Sequence, residues 1–389
     1  MNIAFDASPL IGDNISGVGW CEANLTDALT RLHPETQYRF EYFTLRSPEE
    51  KVRRMQPFVR ENTPLHPARF SPLAYRLLTN FVPVPYRAFH GEWADITHFF
   101  NYIVPPFVHG KTVVTVHDMV LHACPETMRT RTRILLQTGL KRSMKRADRI
   151  VTDSDFSRTE IIRYYPDMAE KIRVVPCGVD RKHFAPASAQ EIARVRRIHH
   201  LPERYFLYLG TLEPRKNLVR LIRAYALLRG QYPDAPALVL AGGKGWQYEK
   251  IFEASSSPDV RGHIIFPSYI PSEEMAAVYS GALAFVFPSL YEGFGMPPLE
   301  AMACGCPVLT SNAASLPEAV GNAALLCNPM KTRAIAKGME LLLTREDLRK
   351  KLIERGFRRA AEMSWEAAAE KLYAVYRELG SETDEASQQ

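Results

Sequence analysis

Short runs of β-branched and aromatic residues alternate with stretches of helical periodicity along the whole chain. That alternation leaves α/β, built on parallel sheets, as the fold class. A first series of strand candidates covers 2–5, 38–44, 96–99, 112–116 and 149–152. A second covers 205–209, 237–240, 263–266, 284–287 and 307–310. Helical patterns fall between them, as at 217–228 and 298–303. Two such series in 389 residues predict two domains, each able to bury a core of its own. The Gly- and Pro-containing segment 174–186 reads as the linker between them.

Composition removes several classes of function. The content of 46% hydrophobic and 24% charged residues is that of a globular protein. The longest apolar stretch, 275–291, is broken by Gly281 and Pro288 and falls short of the roughly 20 residues that a spanning helix needs. The opening MNIAFDASPL runs straight into a strand without a basic leader, so a cytoplasmic protein is expected. Cys21, Cys124, Cys177, Cys304, Cys306 and Cys327 form no CxxC pair and read as reduced core residues. A net charge of +6 is too small to suggest nucleic acid as a partner.

In open parallel sheets, ligands bind beyond the carboxyl ends of the strands. The residues there are Asp6, His117-Asp118, Asp153-Ser154, Gly210-Thr211, Gly242-Gly243, Ser289 and Ser311-Asn312. Polar and glycine residues therefore collect at one rim of each sheet, and the expected arrangement is two rims facing each other across a cleft. The most informative segment, FPSLYEGFGMPPLEAMACGCPVLTSNAASLPE, runs from Phe287 to Glu318. A buried strand ends at Pro288, and Gly293 and Gly295 let backbone N–H groups approach a ligand. Pro297-Pro298 then opens a helix whose start carries partial positive charge. Glu292 precedes the loop and Glu300 lies in the first turns of the helix.

The spacing Glu292–x7–Glu300 around EGFGMPPLEA resembles the signature of the family 4 (glycosyl transferases group 1) class of retaining GT-B glycosyltransferases. The resemblance implies a GT-B fold of two Rossmann-like domains facing across a cleft. The expected boundaries are 1–178 for an acceptor-side domain and 187–362 for a nucleotide-sugar domain. A helix over 363–380 is expected to cross back to the first domain, and a disordered tail to occupy 381–389. It further implies that Glu292 contacts donor sugar hydroxyls and Glu300 the ribose hydroxyls. Gly293, Phe294 and Gly295 would offer backbone amides to sugar or phosphate oxygens.

In YLGTLEPRKNL a strand ends at Gly210, and Arg215 and Lys216 match the family's diphosphate-holding pair. Fixed cations at a leaving group stabilise the transition state more than the ground state. The resemblance also places backbone at Tyr269-Ile270 against the base. It makes Gly17 and Gly19 of SGVGW a glycine loop near donor phosphate or acceptor. His117 is set to face the sugar and the reacting centre. Trp20 stands where the family more often has arginine or tyrosine, so its acceptor contacts are left open. Asp153-Ser154-Asp155 fits the DxD metal signature of the other glycosyltransferase fold, but the remaining landmarks are GT-B. No metal and no cofactor are therefore expected.

The expected reaction is retaining transfer of a hexose, mannose from GDP-mannose, onto a glycan carried by a polyprenyl diphosphate lipid in surface polysaccharide or lipopolysaccharide synthesis. Alternatives are another donor (GDP-rhamnose or a UDP-sugar), a GT-B sugar-nucleotide epimerase, or a catalytically silent GT-B binding subunit. Arg129, Arg131, Arg133, Lys141, Arg142, Lys145, Arg146 and Arg149 are opposed in their stretch only by Asp148. Ile134, Leu135, Leu136, Leu140 and Met144 fall near one face of the same helix. Two readings stay open: a basic amphipathic helix on the inner face of an anionic membrane, or an ordinary packing helix.

Overall fold

The structure, a computed structural model, describes residues 1–12, 15–45, 48–72, 74–75, 78, 82 and 84–387. The chain divides into two compact units. The first comprises Met1–Leu121, Thr130–Gly178 and Trp365–Gln389, and the second His122–Arg129 and Val179–Ser364.

The first unit holds β1 (Asn2–Asp6), β2 (Gln37–Phe43), β3 (Leu65–Ala68), β4 (Ile96–Phe99), β5 (Lys111–Thr115), β6 (Arg149–Thr152) and β7 (Ile172–Val174). They pair in the order β3-β2-β1-β4-β5-β6-β7, and every pairing is parallel. The second unit holds β8 (Tyr205–Leu209), β9 (Ala237–Ala241), β10 (Ile264–Ile265), β11 (Ala284–Phe287), β12 (Val308–Ser311) and β13 (Leu325–Cys327). Its order is β10-β9-β8-β11-β12-β13, again all parallel. Helices on both faces bury the central strands, which is why β8 and β11 consist wholly of buried apolar or aromatic residues. Strand order reverses between β1 and β4 in one sheet and between β8 and β11 in the other. Such switch points splay the flanking loops apart and leave a crevice beyond the carboxyl ends.

Three strands had no counterpart among the expected ones: β3, β7 and β13. All are edge strands of three or four residues. β3 carries His66 and Pro67, and Leu326 of β13 is exposed, so neither shows the apolar run that a central strand requires.

The helix Trp365–Ser387 belongs to the first unit and packs on the helix Gly17–Leu32. Leu372, Tyr376 and Leu379 are buried there, each contributing roughly 1.5–3 kcal/mol. Tyr376 Oη lies 2.6 Å from His98 Nδ1, and Glu378 accepts from Arg149 and Arg173. The helix continues through Ser387, into the segment 381–389 that was read as a disordered tail. Gly380 is the last glycine or proline in the chain, so nothing breaks the helix sooner.

Candidate active site

The switch point of the second sheet gathers four charged groups. Beyond β8 the chain makes a 3₁₀ turn over Pro214–Lys216, and Asn217, in the left-handed region at φ 64°, passes it into the helix Leu218–Gln231. Asn217 Nδ2 donates to the carbonyls of Pro288 (3.0 Å) and Pro329 (2.8 Å), tying this turn to the end of β11. The N–H of Leu290 donates to the carbonyl of Arg215. Arg215 Nη1 and Lys216 Nζ then reach the two oxygens of Glu292, at 2.7 Å each, and Ser289 Oγ donates to the same carboxylate. Arg215 also holds Glu213 Oε1 at 2.9 Å and the carbonyl of Tyr291 at 2.7 Å.

Burial would raise the Glu292 carboxyl, but Arg215 and Lys216 outweigh it and hold the group down at about 2. Burial lowers the Lys216 ammonium, an effect the Glu292 contact opposes. Two cations thus stand against two carboxylates, preorganised by one another rather than by solvent. Cations held rigidly in this way can stabilise negative charge growing on a leaving group without reorganising.

Gly293–Gly295 follow at once. Ser315 Oγ lies 2.8 Å from the carbonyl oxygen of Glu292 and 2.7 Å from that of Phe294, its one proton shared between them, which ties the direction of the loop's peptides. Gly295 caps the helix Met296–Ala303 at φ +128°, where an added Cβ would meet Leu316 Cδ2 at 2.8 Å. Glu300, in that helix, is half-buried and accepts from Tyr279 Oη at 3.0 Å. Burial lifts its carboxyl to about 7, the Tyr279 hydrogen bond pulling the other way. Gly210 ends β8 and donates to Ala241. Ser268, whose carbonyl accepts from Gly242, precedes Tyr269, which is 69% exposed, and Ile270, which is buried.

In the first unit, SGVGW is the start of a helix rather than a loop. Ser16 is the N-cap of Gly17–Leu32, and Gly19 is buried because a Cβ there would lie 2.8 Å from the carbonyl oxygen of Pro9. His117 follows β5 and is 7% exposed. Its Nδ1 lies 2.7 Å from Asp153 Oδ2 and its Nε2 2.9 Å from the carbonyl oxygen of Phe100. Both partners are acceptors, so the ring is a doubly protonated cation. Burial would lower its pKa, but Asp153 lifts it to about 10. Asp153 is spent on this pair, whereas Asp155 starts the helix Asp155–Tyr164 with its side chain 74% exposed.

In the helix Thr130–Arg146, Leu136, Leu140 and Met144 are buried in the unit's core, whereas Arg131, Lys141, Arg142 and Lys145 are exposed. Most of the apolar stripe therefore packs internally, while Ile134, 54% exposed, stays at the surface and Leu135 is half-buried.

The description "Glycosyl transferases group 1" matches residues 190–359, and "Glycosyltransferase Family 4" matches residues 15–183. O-antigen chain mannosyltransferase B of Escherichia coli is 36% identical over 291 residues, 73% of this chain and 74% of that protein. The chain belongs to the group 1 glycosyltransferases. The serotype-specific mannosyltransferase WbdA of Escherichia coli is 32% identical over 66% of this chain, which spans only 32% of that protein. Among solved structures, a sucrose-phosphate synthase from Thermosynechococcus elongatus superposes with a TM-score of 0.76 at 23% identity, covering 98% of this chain and 99% of that one. Anabaena HepE in complex with UDP and glucose gives 0.73 at 15%, covering 97% and 99%. The fold is GT-B.

Within this glycosyltransferase, Glu213, Asn217, Ser289, Ser315 and Tyr279 hold the named site residues in place; of these only Ser289, as a strand-end residue, was singled out from sequence. Glu213 and Asn217 stand inside the quoted YLGTLEPRKNL motif, so their proximity to Arg215 was readable. Ser289 acts on Glu292 three residues away, whereas Ser315 and Tyr279 act through contacts 21 to 23 residues distant that no local spacing announces. Among the described residues, no helix is long and apolar enough to cross a membrane.

Proposed function

We propose that this glycosyltransferase moves mannose from GDP-mannose, with retention of anomeric configuration, onto a glycan acceptor on a polyprenyl diphosphate lipid. The observation that carries the reading is the Arg215–Lys216–Glu292 network at the switch point between β8 and β11. Similarity to an O-antigen chain mannosyltransferase supports the choice of sugar. On this reading, Arg215 and Lys216 hold the departing diphosphate, Glu292 and the amides of Gly293–Gly295 the hexose, and Glu300 the ribose. Tyr269 and Ile270 address the base through their backbone.

None of the site's carboxylates is suited to be a covalent nucleophile, since Glu292 is committed to two cations and Glu300 carries a raised pKa. Front-face substitution fits better, the diphosphate oxygen taking the acceptor's proton as the glycosidic bond breaks. His117, held as an imidazolium with both N–H groups given to Asp153 and Phe100, suits electrostatic stabilisation, not general-base work. The side-chain cations do for the diphosphate what a divalent metal does elsewhere. The exposed basic face of Thr130–Arg146 supports contact with an anionic membrane on the cytoplasmic side, through charge alone. Binding to anionic vesicles should therefore vanish at high salt.

The decisive experiment incubates the protein with GDP-mannose, GDP-rhamnose or UDP-glucose and a lipid-linked oligosaccharide, without added Mg²⁺ or Mn²⁺. Transfer from GDP-mannose to give an α-linked product is expected. A β-linked product, or a strict need for the metal, would overturn the mechanism. Conversion of the nucleotide sugar without an acceptor would indicate an epimerase, and no reaction at all a silent subunit.

A further inference from the structure

We propose that Glu41, His66 and His90, in the first unit, form a binding site for one zinc-type divalent cation, remote in role from the sugar chemistry. Glu41 and His66 are register partners on β2 and β3, so their side chains share one face of the sheet. His90 ends the helix Arg87–His90 that covers this face. The Nδ1 atoms of His66 and His90 stand 3.4 Å apart, and Glu41 Oε2 lies 4.0 Å from His90 Nδ1. Two imidazole nitrogens bound at about 2.0–2.1 Å to a tetrahedral zinc stand about 3.4 Å apart, the separation found here.

The carboxylate is prepared for such an ion. Glu41 is 1% exposed, its Oε2 is buried, and the carboxylate has the Tyr86 hydroxyl as a neighbour besides His90. Its other oxygen is held by Arg39, which also donates to the carbonyl of His90 at 2.6 Å. A guanidinium on the second oxygen of a ligating carboxylate is a familiar way to orient it. Asp6, in register with Glu41 across β1 and β2, adds negative potential. His66 is half-buried, which gives an ion access from solvent.

Two histidines and one carboxylate from separate elements suit zinc, with a fourth position left for water. Such an ion would pin β2, β3 and the helix Arg87–His90 together. A second ligand-like group, Cys21, Asp153 and Cys177, lies elsewhere in the same unit, so the experiment must tell the two apart.

The test is titration of chelator-treated full-length protein with Zn²⁺, followed by calorimetry, and with Co²⁺, followed by absorption. One equivalent should bind, raising the unfolding midpoint by on the order of 5 °C at a 100-fold excess over Kd. The Co²⁺ spectrum should show tetrahedral ligand-field bands without a thiolate charge-transfer band. His66→Asn and Glu41→Gln should each weaken binding at least tenfold. His66→Asn, at a half-buried position, should keep wild-type transferase turnover and serves as the folded variant. Absence of tight binding, unchanged affinity in folded His66→Asn, or a thiolate band at the first equivalent would each overturn the proposal.

Discussion

Lys216 Nζ donates to Glu292 Oε1 across 2.7 Å although 76 residues separate the two in sequence, and both side chains are about nine-tenths buried. Each is the other's charge balance, with Arg215 completing the set from 2.7 Å. Breaking a buried pair from one side leaves an uncompensated charge and costs about 3–5 kcal/mol, whereas neutralising both sides costs far less. Lys216→Ala should therefore lower both the unfolding midpoint and kcat. Loss of one preorganised contact to the transition state corresponds to a ~10²–10³-fold fall in rate. In Lys216→Gln/Glu292→Gln, stability should largely return while turnover stays low. Thermal unfolding and steady-state kinetics on the same preparations check this, and recovery of both together would place the network outside the chemistry.

With Glu300 on the ribose, as proposed, donor binding depends on pH. The folded-state pKa of Glu300, about 7, lies above the ordinary value of 4.5. Stability from the protonated form is thus fully present below pH 4.5 and is lost as pH rises through 7. A carboxylate accepts from both hydroxyls of a ribose, whereas its protonated form accepts less well, so donor binding runs the other way. KM for the nucleotide sugar should fall as pH rises from 6 to 8. In Glu300→Gln it should be higher and flat across that range. A wild-type KM that does not change between pH 6 and 8 would remove Glu300 from the ribose.

The His117–Asp153 pair sets the charge of the imidazole. With its pKa raised to about 10, the contribution of His117 to stability is fully present below pH 6.5 and is lost as pH rises through 10. In Asp153→Asn the burial remains and the countercharge goes, so the ring should titrate below 6.5. Nitrogen chemical shifts of His117 report this directly. The wild type should stay protonated at both nitrogens at pH 8, and the variant should be neutral there. A neutral wild-type ring at pH 8 would refute the assignment.

Gly295 tests the loop. At φ +128° an alanine is strained, and its Cβ would press on Leu316. Gly295→Ala should destabilise the second unit by about 1–3 kcal/mol and raise the donor KM, because the peptides that Ser315 aligns must shift. Urea unfolding and donor kinetics measure the two effects. An unaltered KM in a destabilised variant would show that the loop amides do not meet the donor.

Much of this was written locally in the chain. Strands such as β8 and β11 were readable because a strand covered on both faces must be a continuous apolar run, whatever its neighbours. Arg215, Lys216, Glu292 and Glu300 stood in motifs beyond such runs, and the roles expected of them came from the resemblance rather than from position alone. The edge strands β3, β7 and β13 were not readable, since a strand with one free side need not be apolar.

What the amino-acid order determined by itself is the α/β class, the two series of strands and the residue types at their carboxyl ends, all consequences of short-range periodicity. The tertiary structure alone decided which of those residues meet. The parallel pairing of β8 with β11 brings Glu292 onto Arg215 and Lys216 and, with Glu213, turns two carboxylates and two cations into one neutral, rigid network. The helix fold of SGVGW, the imidazolium at His117 and the raised pKa of Glu300 depend in the same way on burial and on partners distant in sequence. A pKa or a hydrogen bond is a property of surroundings, and only the folded chain has them.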